Sequence, residues 1–106
     1  MENFNEHFSR YSYLKLSAQG ALLGEVIPSL RGVAVGWSDK TILLYFYNDG
    51  KITDEIFDCF SEIGTEIISD FSDALINDHI IRLDYPQPLP FHEHWVFKRK
   101  EIKDVS

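Results

Sequence analysis

The chain has 106 residues, 44% of them apolar and 14% aromatic, and a formal net charge of −7. That length suits one compact core rather than two, and no apolar run approaches the roughly 20 residues that span a bilayer. The acidity excludes partners whose recognition depends on neutralising phosphates with Lys and Arg, nucleic acid and anionic membrane alike.

Residues 4 to 24 predict a helix, because Phe4, Phe8, Tyr11, Leu14, Ala18, Ala21 and Leu22 recur mostly at spacings of three and four. Gly20 weakens that helix, and Gly24 with Pro28 marks its end. A strand from Arg31 to Trp37 follows, with Val33, Val35 and Trp37 on one face and Gly32, Ala34 and Gly36 on the other. The small-residue face permits a helix or a partner backbone to come close. Ser38-Asp39-Lys40 is a short polar turn into a second strand, Thr41 to Asn48, so the two should form an antiparallel hairpin. Ile42, Leu44 and Phe46 make its core face. Leu43, Tyr45 and Tyr47 fall on the far side, where they are a binding surface if nothing covers them and core if a helix does.

Asn48-Asp49-Gly50 ends that strand, and Thr53 is a good N-cap for a second helix with Asp54 and Glu55 in its first turn. Ile52 and Phe57 stand at the two positions of a hydrophobic staple. Ile56, Cys59, Phe60, Ile63, Ile67 and Phe71 form an apolar stripe, and Glu55, Asp58, Glu62 and Glu66 an acidic ridge opposite it. Two further strands, His79 to Tyr85 and His94 to Arg99, are joined by the stiff connection PQPLPFHE, and the polar tail from Glu101 to Ser106 is expected to fray. The order α-β-β-α-β-β reads as a single α+β domain over residues 1–106. Its simplest form is a four-stranded, mostly antiparallel sheet with both helices packed on one face.

Chemistry finds little to work with. His92 and His94 form a His-x-His pair able to chelate zinc, but His7 and His79 are the other imidazoles and surface histidines beside a proline loop are commoner, so no metal is expected. Cys59 lies on an apolar helix face among acidic neighbours, which raises a thiol's pKa and leaves it inert. Carboxylates on an exposed ridge lack the cleft that acid/base catalysis needs. No Ser-His-Asp arrangement, phosphate loop or Cys-x-x-Cys site is present, so neither an enzyme nor a cofactor is expected. A lone cysteine and an N-terminus without a charged-then-apolar leader suit the cytoplasm. The charge is uneven: residues 49 to 84 hold ten acids and two bases, a field that steers basic partners or simply keeps the chain soluble.

Trp37, Tyr45 to Tyr47, Asp49-Gly50, Glu55 to Glu66 and Arg82 to Pro86 carry a likeness to a known family. In the stretch from about Leu30 to Lys100 the chain resembles the immunity proteins that accompany toxins of contact-dependent growth inhibition and related polymorphic toxin systems. The resemblance implies a cytoplasmic antidote that binds one cognate toxin domain and blocks its active site. Such toxins are often nucleases with basic substrate surfaces, against which an acidic inhibitor competes with phosphate. The residues expected to meet the toxin are Asp58, Glu62, Glu66 and Glu55, with Asp39, Asp49 and Tyr47 near them. The competing expectation is a scaffold or homodimer module using a sheet edge or the Leu43/Tyr45/Tyr47 face. The chain itself is expected to be a monomer or weak dimer.

Overall fold

The computed structural model describes residues 2–102, with side chains from Arg10 onward. Helix α1 spans Glu2–Leu22, strand β1 Leu30–Ser38, β2 Thr41–Asn48, helix α2 Asp54–Ile68, β3 Leu75–Arg82 and β4 Trp95–Lys98. The α-β-β-α-β-β order and the α+β class are those the residue pattern predicts. The side chains of Phe4, His7 and Phe8 and the tail residues 103–106 lie outside the described residues.

Leu14, Ala18, Ala21 and Leu22 are the buried stripe of α1. The helix stops where Gly24 takes φ 80°, a left-handed turn that glycine enters without a Cβ clash, and Glu25 N donates to Leu22 O at 2.9 Å. In α2 the Thr53 hydroxyl accepts from Ile56 N at 3.2 Å, the N-cap its position predicts, and Phe60, Ile63 and Ile67 are buried. Both helices pack on one face of the sheet, against Val33, Val35, Ile42, Leu44 and Phe46. Phe46 and Phe60 stack with ring centroids 5.0 Å apart at the centre of that core. Gly64 lets α2 settle onto the sheet: a Cβ there would meet Asp78, Ile76 and Leu44 at 3.4–3.5 Å.

The sheet order is β3-β2-β1-β4, and the sheet is mixed rather than mostly antiparallel. β1 pairs antiparallel with β2 and β4, whereas β2 and β3 run parallel, from Thr41↔Leu75 to Asn48↔Arg82. The cause is α2, which carries the chain back along the sheet as a β-α-β crossover and so forces a parallel return. β3 also begins four residues earlier than the run His79 to Tyr85 suggests, because Asn77 and Asp78 interrupt its hydrophobicity without interrupting its pairing. It ends at Arg82, where Asp84 turns away to accept from Gly50 N and Asp49 accepts from Tyr85 N. Residues 83–94 then pass from one edge of the sheet to the other. Pairing of β4 reaches the predicted bounds of that strand, with Val35 N donating to His94 O and Arg99 N to Arg31 O.

Glu101, the first residue of the segment expected to fray, is held firmly. Arg31 is the extra residue of a bulge between Leu30 and Gly32, and its guanidinium is buried. Its Nε and Nη2 donate to the two Glu101 carboxylate oxygens at 2.6 and 2.9 Å, and Nη1 to Leu83 O at 2.9 Å. Arg99 extends the network to Glu101, Asp49 and Pro28 O.

Candidate functional site

Glu55, Asp58, Glu62 and Glu66 are all exposed on the side of α2 away from the sheet, as the helical period requires. Among the described residues none of the four forms an ion pair. The apolar stripe beneath fixes the ridge, since rotating α2 to hide the carboxylates would expose Phe60, Ile63 and Ile67.

The other expected contact residues are dispersed. Asp39 sits in the two-residue β1–β2 turn with φ 55°, exposed, its carbonyl accepting from Arg10. Asp49 is at the opposite end of β2 and is engaged internally: Arg99 Nη2 donates to its Oδ2 at 3.1 Å and Tyr85 N to its Oδ1 at 3.1 Å. Tyr47 lies on the sheet face away from the helices and is buried. Four of the seven residues therefore share one surface, and Asp39, Asp49 and Tyr47 do not join it.

The far sheet face is covered by neither a helix nor solvent alone. His92, from the 83–94 crossover, rests on it with Nε2 2.6 Å from the Tyr47 hydroxyl and its ring 4.6 Å from Tyr45. His79 stacks on the same Tyr45 ring at 4.8 Å, and Trp95 closes the group beside Tyr47 and His92. The small face of β1 serves this packing: a Cβ on Gly32 would lie 2.8 Å from the Trp95 ring. Burial pushes the Tyr47 hydroxyl pKa up and the His92 pKa down.

His92 and His94 take opposite sides, for His94 stacks on Tyr11 of α1 at 4.0 Å. Among the described residues no group of three His, Cys, Asp or Glu side chains could hold a metal ion. The Cys59 thiol is pushed up by burial, with Glu25 and Glu62 adding to the rise. A cleft of about 670 Å³ lies beneath the proline-rich crossover between Arg31, Tyr85, Pro88 and Lys98, and another of about 630 Å³ lies between Arg10, Trp37 and Phe71. Among the described residues no helix is long and apolar enough to cross a membrane.

The residue pattern missed two features. The Arg31–Glu101 clamp left no signal, because the partners stand 70 residues apart. The His92 contact with Tyr47 was hidden in a proline-rich loop, although an aromatic strand face that needs covering is a hint of it. In comparison with known proteins, the family described as MafI2 immunity protein matches residues 11–101. No curated protein matches the chain.

Proposed function

Since the match spans most of its length, the chain belongs to the MafI2 immunity protein family, and we propose that it neutralises its cognate toxin by seating the acidic ridge of α2 on a basic active-site surface. The toxin that best fits such a ridge is a nuclease, whose phosphate-binding cations would meet Asp58, Glu62 and Glu66. The chain acts as a stoichiometric inhibitor and catalyses nothing.

The observation that carries this reading is the set of four exposed carboxylates left without a cation of their own among the described residues. Asp49 and Asp84, by contrast, are matched within the chain by Arg99 and Arg82. An unmatched acidic surface steers a basic partner and raises its on-rate. The aromatic face offers the scaffold alternative less surface, because Tyr47 is buried under His92 and Tyr45 is half-covered.

Changing Asp58, Glu62 and Glu66 together to Lys tests the proposal against the cognate toxin domain. Exposed pairs contribute about 0.2–1 kcal/mol each, and reversal replaces attraction with repulsion at three positions. Affinity should fall at least about tenfold, with unchanged circular dichroism, and the wild-type complex should weaken as salt rises. Undiminished affinity in a folded triple variant would remove the ridge from the mechanism.

A further inference from the structure

The two edges of the sheet are not alike. β4 has four residues, a bulge opposite Val33/Ala34, and Lys98 at its end, which are the usual defences of an edge against pairing with another chain. β3 has eight residues, no proline and no lysine, and its register against β2 runs without a shift from end to end. Leu75 N donates to Lys40 O and Leu83 N to Asn48 O, so the odd-numbered residues of β3 bond to β2. In a parallel ladder the alternate residues point the other way. The backbone N–H and C=O groups of Ile76, Asp78, Ile80 and Arg82 therefore face outward, and among the described residues nothing bonds to them. At about 3.3 Å per residue this is an open template about 20 Å long.

We propose that this edge is where the toxin docks, an extended basic segment of it adding to the sheet beside β3 as a fifth strand. The proposal rests on the inhibitor reading and names the part of the chain that reads the partner. Charge selects the occupant. The exposed Asp78 stands in the middle of the outward-facing positions, on the flank against Gly64 of α2, with the acidic ridge on the outer side of the same helix. A second copy of this chain pairing edge to edge would bring two such acidic helices together, whereas a strand carrying Lys or Arg opposite Asp78 would be held. Phe57 lies two helical turns before Gly64 on the same flank and is 52% exposed, an apolar anchor point next to the edge. Backbone pairing then supplies affinity, and Asp78 with Phe57 supplies the choice of partner.

The test is residue-resolved amide hydrogen exchange on the full chain, alone and with its cognate toxin domain. Alone, the amides of Ile76, Asp78, Ile80 and Arg82 should exchange fast while those of Asn77, His79 and Ile81 are protected. In the complex the fast set should become protected at least about a hundredfold, closing the alternation. Asp78→Pro removes one outward N–H without touching the β2 ladder and should weaken binding at least about tenfold. Asp78→Lys keeps the N–H at an exposed position and, with circular dichroism unchanged, should weaken binding through charge. A tight complex in which the outward amides still exchange fast would overturn the edge and leave the inhibitor reading standing. No complex at all would overturn both. Protection that appears in the chain alone, together with a doubled mass, would assign the edge to a second copy and overturn the toxin as its occupant.

Discussion

Glu101→Gln isolates what holds the end of the chain to the sheet. The Arg31 side chain is 2% exposed and that of Glu101 17%, so the pair is nearly out of water. The substitution removes the negative charge and turns an amide donor toward one guanidinium donor, leaving Arg31 the single amide oxygen and Leu83 O as acceptors among the described residues. Stripping one partner from a buried ion pair costs about 3–5 kcal/mol. Partial water access to Glu101 places the expected loss near the lower end, about 3 kcal/mol. The assay is urea unfolding followed by far-ultraviolet circular dichroism, with Glu66→Gln on the exposed ridge as a control expected within about 0.5 kcal/mol of wild type. The pH dependence gives a second readout. The bond from Arg31 holds the Glu101 carboxyl below its ordinary value, despite the opposing effect of burial. Its stabilisation is therefore complete above the unfolded carboxyl pKa of about 4.3 and is lost as pH falls through the lower folded value. Wild type and Glu101→Gln should converge as the solution is acidified from about pH 5. A difference below about 0.5 kcal/mol at pH 7, or one that persists undiminished at acid pH, would refute the clamp.

Gly32→Ala should destabilise by about 1–3 kcal/mol, because its Cβ would stand 2.8 Å from the Trp95 ring. The cost should shrink in a Trp95→Leu background, and a denaturant double-mutant cycle showing no coupling would reject that contact. His92 faces Tyr45, Tyr47 and Trp95, with Lys98 beyond the Trp95 ring, and burial lowers its pKa. Its contribution should be present above the unfolded histidine pKa of about 6.5 and decline as pH falls toward the depressed folded value. His92→Gln should flatten the stability profile just below about pH 6.5, and an unchanged slope in chemical denaturation would remove His92 as its source.

Local signals carried much of the architecture. Thr53, Asp54 and Glu55 announce α2 and the Ile56 to Ile67 stripe orients it, so the exposure of Glu55, Asp58, Glu62 and Glu66 was legible from periodicity alone. The β1–β2 hairpin was legible for the same reason, since its turn and its alternation lie within one short stretch. β3 was harder: an edge strand with Asn77 and Asp78 at its centre carries too weak an apolar pattern to mark its own start.

What the sequence determined by itself is therefore the element order, the buried faces and the acidic ridge, because each follows from spacing within a single element. The tertiary structure decided the rest. It set the parallel β2–β3 pairing, which depends on where a crossover helix lands, and it matched Asp49 with Arg99 and Glu101 with Arg31 across 50 and 70 residues. It drew His92 over Tyr47 and left β3 open along its outer side. Hydrogen bonds and ion pairs between distant segments have no period in the chain, so they become visible only when packing brings the partners within reach.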